Sequence, residues 1–119
     1  MKHEARARVA AIVAAATKGS SISSVYDYAK SVHRKTSADV RSGQISGYDY
    51  DTSSHFSGGG SNNLDFYDYE TSTHIQLKLN GSQFSGYDYH TSQHFSGTVN
   101  GNSISFYDYQ TSQHYNFGA

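Results

Sequence analysis

Five times the chain writes Tyr-Asp-Tyr, two residues, a serine, one residue and a histidine, starting at Tyr26, Tyr48, Tyr67, Tyr87 and Tyr107. Aspartate and histidine in each copy (Asp49/His55, Asp68/His74, Asp88/His94, Asp108/His114) are residue types that ligate a divalent metal. Serine, histidine and aspartate together are the types of a nucleophilic triad. Tyrosine beside histidine suggests a third use, a recognition surface with broad contact area, polar tips and low entropy cost. Which chemistry is open depends on the element that carries the motif.

The copies are spaced by 22, 19, 20 and 20 residues, the mark of a repeat architecture. Glu4 to Thr17 predicts a helix, rich in alanine, free of glycine and proline, and stopped at Lys18-Gly19. Alanines extend its apolar stripe nearly all round, so it wants contact on more than one side. Everything after it reads as β-hairpins. Pairing Tyr69 with His74 puts Leu64, Phe66, Asp68, Ile75, Leu77 and Leu79 on one face. The other face then carries Tyr67, Tyr69, His74 and Gln76, with Asp65 opposite Lys78. Asn80-Gly81 and Asn100-Gly101 read as type I′ turns, which set Leu77 opposite Phe84, Phe95 opposite Phe106, His74 opposite Tyr87 and His94 opposite Tyr107. Gly47 and Gly86 alternate with Phe66 and Phe106 ahead of the motif, and the helix is the expected cover for these glycines.

The expected fold is therefore mainly β: an N-terminal α-helix and an antiparallel up-and-down meander of about 20-residue hairpin repeats, roughly eight to ten strands, curved around or packed on the helix. A stagger of about one residue per strand leaves an open sheet and a closed barrel as alternatives. The chain of 119 residues reads as one domain: helix 4–17, a divergent first repeat at 20–41, and four hairpin repeats over 42–119. Arg34, Lys35 and Asp39 mark the first repeat as a charged cap at an edge. Gly58-Gly59-Gly60 reads as a linker and lacks the lysine and helix of a phosphate loop.

On this register Asp and His of one copy point to opposite faces, and successive histidines lie roughly 10 Å apart. That spacing does not suit a shared metal ion, so no metal site or cofactor is expected. Five near-identical constellations are a structural pattern, whereas catalysis needs one special set of groups with pKa values driven apart, so no catalytic residue is assigned and an enzyme ranks third. The candidate surface is Tyr48, Tyr50, His55, Tyr67, Tyr69, His74, Tyr87, Tyr89, His94, Tyr107, Tyr109 and His114. It would serve as a binding or self-association face for a protein partner or a second copy. The alternative is a secreted or surface matrix protein that polymerises through its sheet edges.

Charge is uneven. Residues 1–41 hold eight of the nine Lys/Arg against three acids, a net of +5, and residues 42–119 hold Lys78 against seven acids, a net of −6. A solvated helix face and a charged first hairpin account for this, and acidity over the repeats argues against nucleic acid. Absence of cysteine excludes disulfides and thiolate chemistry. No stretch approaches the roughly 20 apolar residues of a membrane span. Residues 1–16 read as a retained helix in preference to a signal peptide, which favours the cytoplasm; cleavage there would imply secretion. In architecture the chain resembles other families of 20-residue hairpin repeats, the choline-binding modules and the YD repeats of bacterial toxins, and Tyr48-Asp-Tyr-Asp51 echoes the latter. Tryptophan for a choline cage and the Gly-Arg-Leu portion of a YD repeat are both missing, so no function is carried over.

Overall fold

The computed structural model describes residues 1–60 and 63–119. The alanine-rich segment forms α1 (His3–Lys18), with Glu4 in its first turn and Lys18 in its last, each sign opposite to the helix dipole there. A Schellman close ends it: Gly19 takes φ 67°, its N–H donates to Ala16 O, and the Ser20 N–H donates to Ala15 O at 3.1 Å.

The strands that follow are β1 (Ser21–Ile22), β2 (Val25–Asp27), β3 (Val32–Arg34), β4 (Thr36–Arg41), β5 (Gln44–Asp49), β6 (Ser54–Gly59), β7 (Phe66–Asp68), β8 (Thr73–Asn80), β9 (Gln83–Asp88), β10 (Gln93–Asn100), β11 (Ser103–Asp108) and β12 (Gln113–Gly118). All belong to one antiparallel sheet. Only Ser23-Ser24 separate β1 from β2, and only Lys35 separates β3 from β4, so these four segments are two interrupted strands. The ladder runs from β4 through β5 to β12, then to β2 and β3, and β3 continues into β4. The sheet thus curves until it meets itself, through a seam of two residue pairs, Phe117↔Asp27 and Gly118↔Tyr26. Tyr67 lies level with His74 and Tyr87 with Gln76, a drift of two residues per hairpin that tilts the strands as a barrel requires.

The helix threads this wall. Every residue from Ala5 to Ala15 is buried, so α1 has no solvent face over that stretch, and its alanines keep it thin enough for the wall to close around it. The inward side chains of the wall, among them Phe56, Phe66, Ile75, Leu77, Phe95, Ile104 and Phe106, complete the core.

Several expectations need correction. Tyr67, not Tyr69, is the partner of His74, and Leu77 faces Gly86 while Leu79 faces Phe84. Phe95 faces Asp108 and Ser96 faces Tyr107. Each shift is by two residues, so no side chain changes face. The turns explain part of it: Gly81 and Gly101 are the first central residues, with φ 62° and 61°, and the residues after them are not left-handed. That is type II′ chemistry, in place of I′ with Asn at the first position. The glycines are covered by phenylalanine and not by the helix: a Cβ on Gly86 would run into the Phe95 ring, and one on Gly47 into the Phe56 ring. Asp65 does not bridge to Lys78; its Oδ1 accepts the Leu77 N–H at 2.9 Å. Gly58 and Gly59 belong to β6 and are not linker. The first repeat is no edge cap, since β2 pairs with both β12 and β3.

Gly86→Ala forces a methyl group onto the Phe95 ring and the Gln76 carbonyl. We expect a loss of about 1–3 kcal/mol, the usual cost of overpacking, read as a lower urea midpoint at unchanged slope.

Candidate functional site

Alternation along one strand divides the motif. In Tyr-Asp-Tyr the aspartate points into the barrel and both tyrosines point out. Each motif ends in a four-residue loop, such as Tyr69–Ser72 between the paired Asp68 and Thr73. Serine closes all five loops in the left-handed region, with φ between 53° and 57°. The aspartate holds the loop through one oxygen: Oδ1 accepts the backbone N–H two residues on, from Ala29, Asp51, Glu70, His90 and Gln110 at 2.9–3.0 Å. These carboxylates are buried, at 0–3 % exposure.

The second oxygen is free for the helix. Arg8, with no exposed surface, donates from Nε to Asp49 Oδ2 at 2.8 Å and from Nη1 to Asp68 Oδ2 at 2.6 Å. Its Nη2 reaches Glu70 Oε1 at 3.0 Å and Thr52 Oγ1 at 3.1 Å. Arg6 Nη1 and the Met1 amino group both lie 3.1 Å from Asp108 Oδ2, and the Arg6 guanidinium stacks 3.7 Å from the Tyr115 ring centre. Arg34 serves Asp27 at 3.3 Å, while Asp88 accepts from the Thr91 hydroxyl instead. Arg6 and Arg8 are therefore not part of a solvated helix face, as composition suggested; they meet the acids of the repeats from inside, while Lys18, Lys30, Lys35 and Arg41 are exposed.

Burial alone would strip Arg8 of its proton more easily, yet Asp68 and Glu70 outweigh that and raise its pKa. Burial pushes Glu70 up, but hydrogen bonds from Lys2 (2.6 Å) and Arg8 outweigh it and hold the carboxyl below the usual glutamate range. Its hydrogen bond to Glu70 in turn raises Lys2.

On the outer wall the tyrosines and histidines form one cluster per motif. Tyr48, Tyr67, Tyr87 and Tyr107 are half-buried at the centres, each edge-on to the tyrosine two residues later and to the histidine across the strand pair. All ring centroids lie 4.6–4.9 Å apart. All twelve expected surface residues fall in these four clusters. A fifth cluster, Tyr26/Tyr28/His33 in the first repeat, lies outside the expected surface although it carries the same motif. Backbone bonds string the clusters together: the N–H groups of Tyr69, Tyr89 and Tyr109 donate to the carbonyls of His55, His74 and His94. Tyr28, Tyr50, Tyr69, Tyr89 and Tyr109 stand out most, at 51–62 % exposure. Among the described residues no three metal-ligating side chains converge. Asp inward and His outward is the arrangement that separates them. Among the described residues no helix is long and apolar enough to cross a membrane.

Two shallow grooves of about 550 and 580 Å³ cross the outer face of β8–β12, walled in part by the girdle residues Tyr87, His94, Tyr107, Tyr109 and His114. Set against known family models, curated proteins and solved structures, the chain matches none.

Arg8→Met leaves Asp49 and Asp68 buried without a counter-charge and should cost about 3–5 kcal/mol, with partial recovery when both aspartates become asparagine, as measured by denaturant titration. A carboxyl held low in the fold stabilises above the ordinary glutamate range and loses that contribution as pH falls through its folded value. Glu70→Gln should therefore be less stable than the parent at pH 7, and the gap should close as pH falls below the usual glutamate range.

Proposed function

We propose that the protein is a non-enzymatic binding module whose partner docks on the Tyr/His girdle. The observation that carries this reading is the set of five tyrosines held half or more exposed on a wall where packing gives them no further role. Each is held edge-on by a second tyrosine, so it meets a ligand with little rotamer entropy left to lose. The motif supports the reading from the other side too: its aspartates are spent on loop closure and helix binding, which leaves tyrosine and histidine as the part turned to solvent.

Self-association through the same girdle is the second form of this reading. Polymerisation through sheet edges has less support, because the long strands are paired on both flanks. Residues 1–16 supply most of the helix that fills the lumen, which supports a segment kept by the folded chain.

Light scattering on a size-exclusion column separates the two forms. A mass near 13.1 kDa at every concentration points to a different partner, and a concentration-dependent rise points to a second copy. In either case Tyr50, Tyr69, Tyr89 and Tyr109 changed together to Ser should keep the fold, at about 0.5 kcal/mol or less per exposed site, and lose the association. Full association by a folded quadruple variant would overturn the reading.

A further inference from the structure

The two grooves that the girdle helps to wall share the one cationic side chain of residues 42–119, Lys78. Four outward residues run across the sheet in register, Lys78↔Ser85↔Ser96↔Tyr107. Two serines side by side make the wall low between a lysine and a tyrosine, and the two grooves meet over them. Gln76, Gln93 and Tyr109 bound the first groove, while Gln83, Thr98 and Ser105 line the second. No carboxylate lines either one, although residues 42–119 carry seven acids. Four of those acids are turned into the barrel. Lys78, the single Lys/Arg of this region, lies where the grooves meet and has no ion-pair partner among the described residues.

Resting on the binding reading above, we propose that this trough takes an acidic saccharide chain. Its carboxylate would meet Lys78, its hydroxyls would bond the serine, threonine and glutamine side chains, and one sugar face would lie against Tyr109 or Tyr107. The backbone of the wall is consumed by the ladder, so a ligand must be met by side-chain hydroxyls and amides, which suits a polyol better than an extended peptide. One lysine is too few for the multiple phosphate contacts of a nucleic acid.

The molecule contains its own control. The hairpin Gln44–Gly59 repeats the row as Asp39↔Ser46↔Ser57↔Tyr67, with an aspartate, held by Arg41 at 2.8 Å, where the other row has Lys78. An acidic ligand should therefore choose the Ser85/Ser96 trough over the Ser46/Ser57 one.

The test is an NMR titration of the full chain with trigalacturonate and, separately, with its methyl ester. The acid should shift the amides of Ser85 and Ser96 and leave those of Ser46 and Ser57 in place. It should bind about three- to fivefold tighter than the ester, as one exposed ion pair allows, and the preference should fade with added salt. Lys78→Gln should remove the preference and keep the ester's affinity, and Tyr109→Ser should weaken both. Equal shifts in the two troughs, equal binding of acid and ester, or no shift at about 10 mM would overturn the proposal, as would tighter binding of oligo(dT) at the same residues. Those results bear on the trough alone: the girdle reading is tested by the triple variant Tyr50→Ser, Tyr69→Ser and Tyr89→Ser, which leaves Tyr109 and the groove lining in place.

Discussion

One guanidinium decides how this molecule closes. Arg8 sits in the lumen with no exposed surface and holds carboxylates from two different hairpins, Asp49 and Asp68, while a third acid, Glu70, caps its outer end. A buried charge of this kind is tolerable only when its hydrogen bonds are met, and here helix and wall each need the other to meet them. The helix has no independent claim to stability at its length. The wall without the helix would leave its inward aspartates and phenylalanines facing an empty lumen. Each half is therefore the solvent of the other, and the ion cluster sets their depth and rotation.

The same constraint shapes the outer surface. Since Oδ1 of each aspartate must reach its loop, and Oδ2 of Asp49, Asp68 and Asp108 the helix, the strand cannot slip by one residue without burying tyrosine and exposing aspartate. The tyrosines on either side are thereby committed outward in all five motifs. A girdle of exposed aromatics follows from where the acids are needed, and the polar Ser, Thr and Gln positions beside it leave troughs between the rings. The pattern is the reverse of a lipid-spanning barrel, which turns an apolar band outward.

Much of the fold was legible: the helix from its run of alanines and, in residues 42–119 where alternation is clean, the hairpins, the inward Asp and the outward Tyr/His. Register was missed by two residues in both kinds of turn. Alternation constrains parity alone, and a slip of two satisfies it as well as the true pairing does. What selects between them is local: serine in the left-handed region before Thr73 or Gln93, and glycine as the first turn residue at Gly81 and Gly101. The seam was also missed. Arg34 and Asp39 look like edge charges in isolation, whereas Arg34 is the counter-ion of Asp27 and β2 is the strand on which the barrel closes.

By itself the sequence determined period, strand parity and therefore which side chains share a face, because those depend on spacing along one chain and on nothing distant. Only the tertiary structure decided that the helix lies inside the wall, that Arg6 and Arg8 meet acids 41 to 102 residues away, and that Phe95 covers Gly86. These are long-range pairings whose partners are chosen by closure of the sheet. A charge imbalance between the two ends of the chain, read along the sequence, looked like a property of its surface alone; folded, Arg6 and Arg8 carry part of it into an ion cluster in the core, while Lys18, Lys30, Lys35 and Arg41 stay outside.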